Sequence, residues 1–126
     1  MFELSVTDTI ASAHFLRGYE GHCKNLHGHT WKVEVMISSP QLDEIGMVAD
    51  FKIIKSKLKN FLKTIDHVCL NDLDFFKENN PTTENIARYV YKYFAGEIAP
   101  LKLDKVRVWE SQTSSIVYAA STENRD

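Results

Sequence analysis

With only two cysteines and three prolines among 126 residues, this chain relies on neither a disulfide framework nor a proline-rich linker. The cysteines, Cys23 and Cys69, are expected as free thiols in a reducing cytoplasm. No apolar run approaches the ~20 residues that a membrane span needs. Met1 leads straight into the alternating Phe2-Glu3-Leu4-Ser5-Val6, so no signal peptide is expected. Charge of one sign is also lacking. Fifteen basic against seventeen acidic residues leave a formal charge of −2, which excludes a broad basic face for nucleic acid but leaves room for a local anion pocket. Neither a membrane nor a nucleic acid is an expected partner. There is no internal repeat or low-complexity stretch, and 126 residues can bury a core. The expected organisation is one cytoplasmic domain over residues 1–126.

The patterning that is present falls into six elements. Residues 2–13 alternate loosely and predict a strand ending near His14. Trp31, Val33, Val35 and Ile37 share one face of a second strand. Between the two strands, the stretch from Arg17 to Leu26 has no periodicity and reads as a loop. Asp50 suits an N-cap, followed at helical spacing by Phe51, Ile54, Leu58 and Phe61. A second helix is predicted after Asn80-Pro81, capped by Thr82 or Thr83, with Ile86, Val90, Phe94 and Ile98 on one face. Strands near Lys105–Glu110 and Ser115–Ala120 complete a β-β-α-α-β-β order. The fold class is α+β: a four-stranded antiparallel sheet with two helices on one face. Such a sheet leaves its other face and its edges wanting partners, which oligomerisation would supply.

Three histidines draw attention. His27 and His29, at i and i+2, point to one side if the second strand begins early, and His14 ends the strand expected beside it. Neutral imidazoles suit zinc, and three protein ligands leave one tetrahedral position open. Iron or another divalent ion fits the same ligands. The plainer alternative is a surface pair making ordinary hydrogen bonds.

Other chemistry-bearing residues are read singly. Cys23 precedes the pair in the loop and is either a small buried hydrophobe or, beside a cation, a thiolate base. Cys69, in Val68-Cys69-Leu70, reads as core. Asp66-His67 can form a carboxylate-oriented acid–base pair only if the chain turns there, because neighbours on a strand face opposite ways. Glu110 ends a strand as an edge residue or, in a pocket, as the acceptor of two N–H bonds from an amidine-like ring edge.

Together these pieces resemble the 6-pyruvoyl-tetrahydropterin synthase and 6-carboxytetrahydropterin synthase family. The matching segments are Ala13-His14-Phe15, Cys23 to His29, Leu62 to Asn71, Asn80 to Asn85 and Trp109-Glu110-Ser111, in the family's order and over nearly the whole chain. The resemblance implies the tunnelling fold, in which three subunits join sheets into a barrel and two trimers stack into a homo-hexamer with sites between subunits. It places the zinc ligands on His14, His27 and His29, the base on Cys23, the proton relay on Asp66 and His67, and the pterin anchor on Glu110. Thr82 and Thr83 would border the pterin, although Thr82 is equally explained as a helix cap. Lys24, Arg17 or lysines of a neighbouring subunit would meet the triphosphate.

The short spacer Lys24-Asn25-Leu26 between Cys23 and His27 is like that of the carboxy-forming branch, which feeds queuosine synthesis. The implied reaction converts 7,8-dihydroneopterin triphosphate to 6-carboxytetrahydropterin, acetaldehyde and triphosphate. The pyruvoyl-forming synthase and a non-catalytic zinc- or pterin-binding module are the competing expectations.

Overall fold

The computed structural model describes residues 1–19, 21 and 25–120. Alternation of apolar and polar side chains builds two long strands, β1 (Phe2–His14) and β2 (His27–Ser39). They pair antiparallel without interruption from Phe2 opposite Ser39 to His14 opposite His27. β2 therefore starts at His27, well before the apolar alternation at Trp31, because β1 supplies a partner that far along. β3 (Lys102–Trp109) pairs with β2, with a register shift between Met36 and Ile37. The short β4 (Ser115–Tyr118) pairs with β3. The sheet order is β1-β2-β3-β4.

One face of this sheet is apolar. Leu4, Val6, Ile10, Trp31, Val33, Val35, Ile37, Val106 and Val108 are all buried in a core shared with the helices. Helix α1 (Phe51–Leu62) starts where Asp50 accepts the Lys52 N–H at 2.8 Å. Its Ile54, Leu58 and Phe61 are buried as expected, but Phe51, in the first turn, is 58% exposed. A five-residue helix α2 (Asp74–Glu78) follows, absent from the expected order because it is too short to show a period. It buries Phe76. Helix α3 (Thr83–Phe94) is capped by Thr82, whose hydroxyl accepts the Asn85 N–H at 3.1 Å. Ile86, Val90 and Phe94 are buried along it, and Ile98 follows in a single tighter turn. Helix α1 packs on β1, and α3 on β3 and β4. No helix among the described residues is long and apolar enough to cross a membrane.

The opposite face is polar. Lys32 lies 4.0 Å above the Trp109 ring, and Lys105 pairs with Glu3 at 3.5 Å. The edges differ as well. Over residues 11–14 the β1 edge is sealed by the segment after α1: Ala13 N–H donates to Val68 O (2.9 Å) and His67 N–H to Ala11 O (2.7 Å). Farther along, over Phe2–Asp8, the same edge has no neighbouring strand among the described residues.

Candidate active site

The end of the β1–β2 hairpin gathers the histidines. His14 closes β1 directly opposite His27, and His29 lies two residues on, on the same face. The His14 Nδ1–H donates to the Pro81 carbonyl at 2.7 Å, and the His27 Nδ1–H donates to the Asn25 carbonyl at 2.8 Å. In their neutral forms both rings therefore present a lone pair at Nε2, and those two atoms stand 3.1 Å apart. Facing lone pairs repel unless a proton or a metal ion lies between them. His14 is 2% exposed. Burial, with His27 and His29 adding to it, lowers its pKa below 6.5 against the opposing pull of Pro81 and Glu110. A proton is thus disfavoured at His14, whereas two imidazoles oriented through Nδ1 by carbonyls are what a divalent ion takes.

His29 is placed differently. Its ring centre is 6.0 Å from that of His14 and 6.2 Å from that of His27. Its Nε2–H donates to the Glu110 carbonyl at 2.6 Å, leaving Nδ1 as the free lone pair. Among the described residues, no three histidine, cysteine or acidic side chains close to metal-binding spacing. Two imidazole nitrogens converge and the third ring stands alongside. Trp31, fully buried, floors the site with its ring 4.8 Å from both His14 and His29, and its indole N–H has no partner among the described residues.

Asp66-His67 does turn. His67 adopts φ 57°, a left-handed conformation that costs a non-glycine residue about 1 kcal/mol or more. This brings its Nδ1 to 2.8 Å from Asp66 Oδ2, while Asp66 Oδ1 accepts the Ala11 N–H at 2.8 Å. The Ala11 bond first, and His67 after it, hold the Asp66 carboxyl below its ordinary 3.8. With Nδ1–H given to Asp66, the His67 Nε2 is free to take a proton, and the side chain is 80% exposed. An open cleft of about 550 Å³ is lined by His29, His67, Gly28, Thr30 and Cys69. Cys69 is therefore not core, as its apolar neighbours suggest, but a half-buried free thiol on this rim. Glu110, half-buried just beyond β3, borders an adjoining hollow of about 580 Å³ with Trp109 and Lys32.

Cys23 and Lys24 lie outside the described residues. Thr82 is engaged as the α3 cap and Thr83 is buried in its first turn. Arg17, expected near the triphosphate, donates through Nη2 to the Phe76 carbonyl within α2 at 2.8 Å. The roles of Ser12, Asn71, Asn80 and Pro81 escape sequence reasoning, because Ser12, Asn71 and Asn80 bond main-chain atoms of sequence-distant residues and Pro81 acts through its own carbonyl. The one visible hint is Ser12, a polar residue at the period of Ile10 and His14.

An antiparallel α+β sheet with converging imidazoles at one end and a carboxylate-held histidine beside an open cleft is the equipment of a small acid–base enzyme. Comparison with known proteins makes the assignment specific. The model of the family described as 6-pyruvoyl tetrahydropterin synthase matches residues 3–121, and the chain belongs to that enzyme family. It is 32% identical to a Haemophilus influenzae protein named 6-carboxy-5,6,7,8-tetrahydropterin synthase, covering 94% of this chain and 99% of that one. The Synechocystis protein of the same name is 36% identical, with 85% and 84% covered. Among solved structures, Caenorhabditis elegans 6-pyruvoyl tetrahydropterin synthase superposes with a TM-score of 0.85 at 27% identity, covering 95% of this chain and 96% of that chain.

Proposed function

We propose that this chain is a zinc-dependent 6-carboxy-5,6,7,8-tetrahydropterin synthase. It would convert 7,8-dihydroneopterin triphosphate and one water to 6-carboxytetrahydropterin, acetaldehyde and triphosphate, in the cytoplasm and in queuosine biosynthesis. The product assignment is supported by the names of relatives 32–36% identical to it and by the short spacer between Cys23 and His27. The metal assignment is carried by one observation, the two facing Nε2 lone pairs 3.1 Å apart on His14 and His27.

His14 and His27 would hold the ion through Nε2, and His29 would join them through its free Nδ1 or by releasing the Glu110 carbonyl. When bound, zinc supplies Lewis acidity toward the substrate's side-chain oxygens. His67, its tautomer fixed by Asp66, exchanges a proton at Nε2, and Cys23 is the base for the other proton. Glu110 accepts the ring N–H groups and sets the pterin against the site. Thr82 and Thr83 border the pterin, and Lys24 meets the triphosphate. The bare edge of β1 and the short β4 would join neighbouring copies into the barrel of a homo-hexamer.

Incubating the purified, zinc-loaded protein with 7,8-dihydroneopterin triphosphate and identifying the products tests this. Acetaldehyde with 6-carboxytetrahydropterin supports it. A 6-pyruvoyl product, the activity of the C. elegans neighbour's name, refutes the carboxy assignment, and no turnover points to a binding module.

A further inference from the structure

Beyond β1, the chain continues in a pattern that no strand accounts for. Phe15 N–H donates to Asn71 Oδ1 and the Phe15 carbonyl accepts from Asn71 Nδ2, both at 3.0 Å. Two residues on, Arg17 N–H donates to Asn80 Oδ1 and the Arg17 carbonyl accepts from Asn80 Nδ2, again both at 3.0 Å. In an antiparallel ladder, every second residue of an edge exchanges both its main-chain bonds with one partner residue. Here the partner is a side-chain amide, which carries one acceptor and one donor in the same plane. The same alternate residues are held farther back. Ala11 is bonded by Asp66 Oδ1 and His67 N–H, and Ala13 by the Val68 carbonyl. One edge is thus satisfied continuously at residues 11, 13, 15 and 17.

Asn80 is itself anchored. Its carbonyl accepts the Thr82 N–H at 2.7 Å and Asn85 Nδ2 at 2.8 Å, fixing it to the start of α3. The next residue is Pro81, whose carbonyl orients His14. Asn71 is buried, so its amide has few alternatives to Phe15.

We infer that Asn71 and Asn80 are positioning residues of the histidine site, acting as a surrogate strand that extends β1 past His14. They fix the path of the chain leaving His14 and, through Asn80-Pro81, the carbonyl that sets its tautomer. Neither side chain touches the two facing nitrogens. The inference rests on the metal-site reading above, and the test separates the two.

The probe is Co²⁺, titrated into the full chain and read by its ligand-field absorption. Asn71→Asp and Asn80→Asp keep size and the N–H acceptor but remove the donor to the Phe15 or Arg17 carbonyl. Asn79→Asp is the matched control, since among the described residues the Asn79 amide bonds only the Phe75 carbonyl of its own helix. The expected result is a roughly 10–100-fold loss of Co²⁺ affinity with altered absorption bands in both clamp variants, as for outer-shell changes at metal sites, and wild-type behaviour in the control. Lower stability with unchanged affinity and bands would make the asparagines merely structural and overturn the inference. Should an Asp variant not fold, Asn71→Ser, which adds no charge, carries the comparison. If the wild type binds no Co²⁺, the metal reading fails by itself. The histidine ¹⁵N spectrum then decides: a His14 Nδ1–H tautomer lost in Asn80→Asp sustains the positioning role, and one retained refutes it.

Discussion

Replacing Ser12 by alanine should destabilise the protein by about 2 kcal/mol. Ser12 is 7% exposed, and its hydroxyl donates to the Ile65 carbonyl at 2.6 Å while accepting the Val68 N–H at 3.2 Å. Alanine removes the hydroxyl and leaves both main-chain groups without these partners. Each net hydrogen bond is worth about 0.5–1.5 kcal/mol, and a buried polar group left unpaired costs about 1–3 kcal/mol. Val68 is only half-buried, so water can recover part of its N–H bond, and this places the sum near 2 rather than 4 kcal/mol. At roughly 4 °C per kcal/mol for a domain of this size, the melting midpoint falls by about 8 °C. Urea unfolding is the cleaner assay, because an unchanged slope with a midpoint lower by about 1 M isolates the stability term. The two bonds also flank Asp66-His67, so turnover should fall with stability. A loss below about 0.5 kcal/mol would refute the claim that this hydroxyl ties the relay segment to β1.

Replacing His67 by glycine relieves the left-handed φ and should hold or raise stability by up to about 1 kcal/mol, while slowing turnover by about 10²–10⁴-fold; a clear destabilisation would contradict the strain assigned there. The Asp66 carboxyl titrates below its ordinary 3.8 in the folded chain, so its contribution is complete above that value and is lost as pH falls through the lowered one. Asp66→Asn should therefore flatten the acid limb of stability below about pH 4, as followed by urea midpoints, and an unaltered limb would sink the assignment. His27→Ala removes one of the facing lone pairs and should abolish stoichiometric zinc in the dialysed protein; full zinc retention measured by atomic absorption would exclude His27 as a ligand.

The strands and long helices are legible in the sequence because each buries one periodic face: Trp31, Val33, Val35 and Ile37 mark β2, and Ile86, Val90 and Phe94 mark α3. The proximity of His14 to His27 and His29 follows from hairpin pairing, which a sequence also shows. The orientation of the rings does not. It depends on carbonyls of Asn25, Pro81 and Glu110, and every residue type has a carbonyl. Asp66-His67 illustrates the boundary well: the need for a turn is plain from adjacency, but nothing in the residue types announces a left-handed histidine. The helix at Asp74–Glu78 is invisible for a simpler reason, since one turn of helix has no period.

The uninterrupted pairing of β1 with β2 has a consequence for how this protein can vary. His14 and His27 meet because the ladder registers them residue by residue from Phe2 and Ser39 upward, not because the intervening loop has a given length. Closing a longer loop costs little, about 0.6 kcal/mol per doubling. Insertions between Gly18 and His22, ahead of the Cys23–His27 spacer and of the Asn25 carbonyl that orients His27, should thus leave the imidazoles where they are, whereas a single-residue insertion within either strand would send one histidine to the opposite face of the sheet. The loop is where length can drift over evolutionary time, and the strands are where it cannot.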